Sequence, residues 1–310
     1  LSVLSWLGAS YAEEEKWIEA ERMQLEVLEG RRRLLGTDDP STIAAAENLV
    51  ESYDKQERWT ECEKLQVERR RILGMDHPNT LCAAENLAWT YREQERWSES
   101  EKLEVEVLEK QRQILGMDHT DTIDTAEQLA WTYHQQGRWT ESETLRLEVL
   151  EGRRRTLGME HPDTIDAVAN LASTYYSQGL LTKAEWLEVE VLEQKKRILG
   201  EDNPDTIDTA ANLVVIYRDQ GRWADSEKLE VEILEQRQRV LGMEHTETLD
   251  AAANLAETYG SQSRWGEAAA ILSPAVQLSL KVLGQQHPDA QAYIRQLVSV
   301  YDKLHKTKEA

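Results

Sequence analysis

Phenylalanine is missing from all 310 residues, while Trp and Tyr number 10 each. A bias that sharp points to one short pattern copied many times. Cysteine is nearly missing too, with only Cys62 and Cys82. Two cysteines make no disulfide framework; this fits a reducing compartment, and a cytoplasmic location is expected. Positive charge is in deficit: 36 Lys and Arg stand against 58 Asp and Glu, a net charge of −22. Phosphate backbones need a basic footprint, so nucleic acid is not an expected partner. Nor is an anionic membrane surface. No stretch approaches the roughly 18 uninterrupted apolar residues of a membrane span. No signal peptide is visible, and the chain opens on Leu1, as an excised piece would. Apolar residues still make up 40% of the chain, enough for a sizeable core. At about 150 residues per domain the length suggests roughly two domains. The pattern below favours one extended array.

Glycine after leucine recurs at Gly36, Gly74, Gly116, Gly158, Gly200, Gly242 and Gly284, spaced by 38 once and then by 42. Tyr11, Tyr53, Tyr91, Tyr133, Tyr175, Tyr217, Tyr259 and Tyr301 keep the same rhythm. Six residues behind the first seven tyrosines come Trp17, Trp59, Trp97, Trp139, Leu181, Trp223 and Trp265. The units are therefore 1–36, 37–74, 75–116, 117–158, 159–200, 201–242 and 243–284, with a capping helix at 285–304.

Each unit reads as two helices. The first starts as in His161-Pro162-Asp163-Thr164, with proline where a missing N–H costs nothing and an acid at the positive end of the dipole. A turn follows, with Gly137, Gly179 and Gly221 where a left-handed residue belongs. The second helix runs from the Trp to the Leu-Gly. In the third unit it carries Trp97, Ser100, Leu103, Val107, Gln111, Ile114 and Leu115 at helical spacing. Three residues after each of these Trp residues, or after Leu181, stand small residues (Ala20, Cys62, Ser100, Ser142, Ala184, Ser226, Ala268), where a larger one would push helices apart. Cys62 is thus read as a packing residue. The second unit lacks four residues and predicts a shortened helix. Pro274 predicts a kink or break near Ser273. The low-charge helix around Pro274 is also the best surface for self-association.

Small-x-x-Tyr, then Gln-Gly-Arg-Trp, then a small residue, resembles the tetratricopeptide repeat. The run of Leu-Gly, His-Pro-Asp-Thr, Asn-Leu-Ala, Tyr and Gln-Gly with a 42-residue period is similar to the kinesin-light-chain type. Nearly identical units of this kind also occur at the C-terminus of NACHT or NB-ARC switch proteins. The resemblance implies an all-α, right-handed superhelical solenoid of antiparallel helix pairs, with the first helices lining its concave side. It implies a non-catalytic scaffold that binds protein or peptide. The alternatives are a sensing or autoinhibitory arm of a nucleotide-dependent switch, and a kinesin-light-chain-like cargo adaptor. A designed consensus array is argued against by the 38-residue unit, Pro274 and the scattered cysteines.

By geometry and resemblance together, residues nine, six, five and two before each tyrosine, and one and two after it, face the groove. Five before stand Asn48, Asn86, Gln128, Asn170, Asn212, Asn254 and Gln296. Such amides can grip the backbone of an extended peptide; equally, each can brace its neighbouring helix. The other groove positions include Glu85, Glu127, Arg92, His134 and Arg218, with 14 acids against 5 bases over all units. A one-signed cleft attracts the opposite charge, so a basic or neutral polar partner is expected. Asp124, Asp166, Asp208 and Asp250 can instead serve helix starts. Trp89, Trp131 and Tyr176 read either as an aromatic hot spot or as packing against a neighbouring helix.

Chemistry is sparse. His77, His119, His161, His245 and His287 share one repeat position with Asp39 and Asn203. That exchange suits a helix start, not a metal ligand. There is no Gly-rich phosphate loop, no Gly-x-Ser-x-Gly and no Cys-x-x-Cys. No enzyme activity, cofactor or metal is expected.

Overall fold

A computed structural model of the protein describes residues 1–73 and 78–309. Gly74 and His77, two repeat positions named above, lie outside the described residues. The described residues form fifteen α-helices and no strand. They gather into two compact units, Leu1–Thr156 and Leu157–Ala310. In the first unit α1 (Ser2–Glu13) pairs with α2 (Trp17–Leu35), and α3 (Pro40–Asp54) with α4 (Trp59–Leu73). There too α5 (Pro78–Glu93) pairs with α6 (Trp97–Ile114), and α7 (Thr120–Gln135) with α8 (Trp139–Thr156). In the second unit α9 (Pro162–Ser177) pairs with α10 (Leu181–Ile198), and α11 (Pro204–Asp219) with α12 (Trp223–Leu241). It ends with α13 (Thr246–Ser261) on α14 (Trp265–Val282), and α15 (Pro288–Glu309) covers α14. The fold class is the all-α solenoid of antiparallel helix pairs. None of the described helices is long and apolar enough to cross a membrane.

The first helices start as their sequence dictates. Asp39 Oδ1 accepts from Ser41 N at 2.8 Å, and Asn203 Oδ1 from Asp205 N at 2.9 Å. The Nδ1 atoms of His119, His161, His245 and His287 accept from the N–H two residues on, at 3.2 to 3.3 Å. Asp, Asn and His exchange here because each presents one acceptor to an otherwise unbonded helix N–H.

The first helices end on a second rule. The carbonyl of each repeat tyrosine, Tyr11 to Tyr259, accepts from the N–H five residues on at 2.8 to 2.9 Å. That closure places the residue between them in the left-handed region. Gly137, Gly179 and Gly221 take it at φ of 71 to 74°, while Glu15, Glu57, Glu95 and Ser263 take it without a glycine.

Packing within a pair rests on the small residues. Ala20, Cys62, Ser100, Ser142, Ala184, Ser226 and Ala268 are all 0% exposed. Ser100 Oγ donates to the Ala88 carbonyl at 3.0 Å, and Cys62 Sγ to the equivalent Val50 carbonyl at 3.6 Å. Burial pushes the Cys62 thiol up to about 12, so it stays protonated and inert. Cys62 is a serine-sized filler.

Neighbouring repeats are joined by a clamp built on the Arg of Gln-x-Arg. Arg96 lies 4.2 Å from the centre of the Tyr91 ring and bonds Glu63 of the preceding repeat at 2.9 Å. Arg138 repeats this on Tyr133 and Glu101, and Arg222 on Tyr217 and Glu185. Arg58 with Glu21 and Arg264 with Glu227 complete the set. Gln136 and Gln220 bond the same glutamates, Glu101 and Glu185, at 2.9 Å.

Two expectations concern irregularities. The helix α4 is shortened as expected: its described part has 15 residues, three fewer than the 18 of its counterpart α6. The break at Pro274 does not occur: α14 runs unbroken from Trp265 to Val282. Proline removes the bond to the carbonyl four residues back, on Ala270, and both residues are exposed, so water can serve that carbonyl. Ser273 Oγ bonds the Ala269 carbonyl at 2.7 Å just before the proline. The low charge of α14 has a plain cause, since Ala268, Ala269, Leu272, Ala275, Val276 and Ser279 are buried.

A left-handed residue with a Cβ costs roughly 1 kcal/mol. We expect Glu95→Gly to raise stability by up to about 1 kcal/mol, and Gly221→Ala to lower it by about the same amount. Urea unfolding would check both. Unchanged midpoints would show that the turn does not need its left-handed residue.

Candidate functional site

In each unit the first helices carry the amides on their open side. Asn48, Asn86, Asn212 and Asn254 are exposed, while Gln128 and Asn170 are half-buried. Bracing and exposure coexist in this row. Gln296 Nε2 donates to the Ala253 carbonyl at 2.8 Å, and Asn212 bonds the Glu188 carboxylate. Asn86 Nδ2 reaches only the Cys82 sulfur, a weak acceptor, at 4.0 Å.

The aromatic residues do two jobs. Trp89 packs edge-on against Trp59 with ring centres 5.7 Å apart, and Trp131 against Trp97 at 5.3 Å. Each is therefore claimed by the second helix of the preceding repeat. Trp131 remains 38% exposed, with the Arg92 guanidinium 5.8 Å from its centre. Tyr176 is on the open face of α9, and its hydroxyl donates to Asp219 at 2.6 Å.

Charge on this face is more balanced than a count over first helices suggests. Arg69 reaches Glu47 at 2.6 Å and Arg153 reaches Asp124 at 3.2 Å. Lys195 reaches Asp166 at 3.6 Å and Arg237 reaches Asp208 at 3.3 Å. These four cations come from second helices, and their stems are largely buried. Glu85 accepts from Gln111 Nε2 at 2.6 Å, and burial raises its carboxyl above the usual range. Glu127 and His134 are half-buried on α7.

In both units the second helices carry a buried repeat position that the sequence analysis passed over. Seven residues after each Trp, or after Leu181, stand Gln24, Gln66, Glu104, Arg146, Glu188, Glu230 and Leu272. All are 5% exposed or less. The signal was readable, because a polar residue recurs where neighbours at helical spacing are apolar. Arg92 of α5 pairs with Glu104 of α6 at 2.9 Å, and Arg218 of α11 with Glu230 of α12 at 2.9 Å. Arg218 also reaches Glu257 at 3.1 Å and the Asn254 carbonyl at 2.5 Å. Burial raises the carboxyls of Glu104, Glu188 and Glu230 and lowers the Arg146 guanidinium. In the second unit α9, α10 and α11 line a half-open cavity of about 180 Å³, with Glu188 and Asn212 in its wall. Exposed amides, paired surface charges and buried carboxylates provide the chemistry of recognition: donors, acceptors and fixed charge.

The family model described as tetratricopeptide repeat matches residues 1–68, 121–197 and 205–278, and a second model so described matches 80–121. A search of curated proteins finds no match. Similar solved structures include the nearly identical TPR-like repeats of a Podosopora anserina protein assigned as a kinesin light chain. That chain is 23% identical, with 68% of this chain and 99% of that one covered and a TM-score of 0.61. A Signal Transduction ATPase with Numerous Domains from Pyrococcus horikoshii, bearing a tetratricopeptide repeat sensor, is 14% identical. It matches over 91% of this chain and 41% of its own, with a TM-score of 0.66. The apo quorum sensor NprR of B. thuringiensis is 13% identical over 96% of this chain and 80% of its own, with a TM-score of 0.60. At these identities the likeness is one of fold.

The buried row has a consequence for pH dependence. Burial outweighs Arg218 and holds the Glu230 carboxyl at about 7, above its ordinary 4.5. A carboxyl whose pKa rises on folding binds its proton more tightly in the folded state. Its contribution therefore weakens stability as pH climbs from about 4.5 to about 7, and is constant above that. Glu230→Gln leaves Arg218 bonded to Glu257 and should flatten this segment. The variant should gain on the natural protein across it by up to about 3 kcal/mol. Urea midpoints through the same range would show this; parallel curves would mean that Glu230 titrates as an ordinary carboxylate.

Proposed function

Because this chain belongs to the tetratricopeptide repeat family, we propose that it is a non-catalytic scaffold holding an extended peptide or protein segment along the open face of its first helices. What carries this conclusion is the row of amides. Asn48, Asn86, Asn212 and Asn254 recur once per repeat at one helical position, and all four stay exposed. A peptide backbone offers donors and acceptors at regular intervals whatever its side chains, and an amide serves both. The repeat recurs from unit to unit over residues 1–284, with 42 residues from Gly116 to Gly158 and again to Gly200, so the proposal extends to one array.

The partner is a basic or neutral polar segment. The net charge of −22 repels acidic segments at long range. Close to the face, Glu47, Asp124, Asp166 and Asp208 already hold cations from second helices. Selectivity for basic segments therefore comes from a few carboxylates at fixed places more than from a uniform field.

Selection from a random nonapeptide display library on the full chain tests this. Enriched peptides should bind Asn86→Ala and Asn254→Ala about 3- to 10-fold more weakly, the value of one or two hydrogen bonds, with unchanged circular dichroism. Rising salt should weaken them further. Equal binding by both variants at all salt levels would remove the amides from the mechanism. No enrichment at any salt would move the proposal to a folded partner or a parent chain, as for the sensing arm of a larger switch.

A further inference from the structure

Three of the buried second-helix residues are glutamates, and two of them have a cation delivered by the first helix of their own repeat. The donor in each case stands one place after the repeat tyrosine: Arg92 for Glu104 and Arg218 for Glu230, each at 2.9 Å. In the fifth repeat that place holds Tyr176, whose hydroxyl is given to Asp219 at 2.6 Å. Glu188 is only 3% exposed, yet no guanidinium comes to it from α9. It has the Asn212 amide and the weaker field of Lys195. Lys195 is itself 3.6 Å from Asp166.

The space above Glu188 is open. The cavity of about 180 Å³ is bounded by Ala169, Ser173, Tyr176 and Val215, with Glu188 and Asn212 among its polar groups. Two substitutions along the repeat clear it. Ala169 stands where Glu85 and Glu127 stand in earlier repeats, and Ser173 where Trp89 and Trp131 stand. The volume is below the roughly 300 Å³ at which sites for whole small molecules begin. It suits the end of one long side chain. Ala169, Val215 and neighbouring apolar atoms offer a wall for a methylene stem, and the exposed Tyr176 ring offers a face to a cation.

We infer that this cavity receives one cationic side chain, an arginine or lysine of the bound segment, whose charged end takes on Glu188 the place that Arg92 holds on Glu104 and Arg218 on Glu230. The inference rests on the peptide-binding proposal above and adds the chemistry of one subsite. The free protein carries a buried carboxyl with no guanidinium bonded to it from α9, a state that low polarity penalises. A cationic ligand supplies the missing charge to a carboxylate that folding has already desolvated and oriented. Neutral and acidic side chains gain nothing comparable there.

The test uses the full chain, the same nonapeptide library and N-acetyl-arginine amide as a minimal probe. The natural protein should enrich peptides with Arg or Lys at one fixed position. Glu188→Gln, equal in shape, should lose that preference and bind the enriched peptides about 30-fold more weakly. Tyr176→Arg should lose it too, because an internal guanidinium then occupies the carboxylate. If Glu188→Gln fails to fold, the Tyr176→Arg result decides. Enriched peptides with no Arg or Lys preference, or with one that survives both substitutions, would overturn the inference and leave the peptide-binding proposal standing. If no peptide is enriched, that proposal fails and the minimal probe decides the cavity. Chemical shifts of the Asn212 side-chain amide that move with N-acetyl-arginine amide, and do not move in Glu188→Gln, would support it. Absence of any shift would overturn it.

Discussion

An arginine placed over its own repeat's tyrosine and bonded to a glutamate of the repeat before is the contact that links most neighbouring repeats. A lone helix pair cannot bury both of its apolar faces, so a repeat protein draws its stability from neighbour contacts. One exposed ion pair is worth little, typically under about 1 kcal/mol. Here the guanidinium is held on two sides. Arg96 has the Tyr91 ring at 4.2 Å, Glu63 at 2.9 Å and Glu99 at 3.1 Å. A planar, preorganised fork loses less freedom per bond than a flexible ammonium would. The seam of fully buried small residues sets how closely the helices of a pair approach; the clamp sets the register between pairs. Within each compact unit, these contacts return one amide per repeat to the same helical position.

That register also explains why a polar row survives in the core. Position seven of the second helices points up between first helices, under the open face. Leu272 fills it in the last pair at 0% exposure. Helix packing therefore has no need of a charge there, and a hydrocarbon would spare the desolvation of Glu104, Glu188 and Glu230. The polar residues go with the face above them: Arg92 and Arg218 answer two of the glutamates, and in the repeat where Leu272 replaces the glutamate, Gly260 takes the sequence place of the arginine.

Most of the fold was legible because it obeys rules within a few residues. The His, Asp and Asn starts, the glycine turns and the serine-sized seam at Cys62 each follow from local bonding or size. Charge on the face was less legible, because its partners lie on another helix. Arg153 answers Asp124 from 29 residues away, and Arg237 answers Asp208 from 29. No reading of first helices alone can supply those cations. Trp89 and Trp131 look alike for the same reason: their edge-on partners, Trp59 and Trp97, belong to the preceding repeat. At Pro274 the break, one of the two outcomes expected there, shows the opposite error. A local rule predicted a break, and burial of α14 between α13 and α15 held the helix together.

Variation among the repeats falls into two classes with different physical meaning. Some changes are answered nearby. Leu180 replaces the clamp arginine in the fifth repeat, and Lys183 takes the place over the Tyr175 ring at 4.7 Å. The cation on the tyrosine is restored from a different position, so stacking chemistry is conserved while the residue is not. Other changes go unanswered. Tyr176 replaces an arginine on the open face, and no residue of α9 returns a guanidinium to Glu188, although Ala169 and Ser173 leave room for one. A compensated change preserves the scaffold. An uncompensated one, beside a buried carboxylate and an open cavity, shifts the missing charge from the chain to whatever the chain binds.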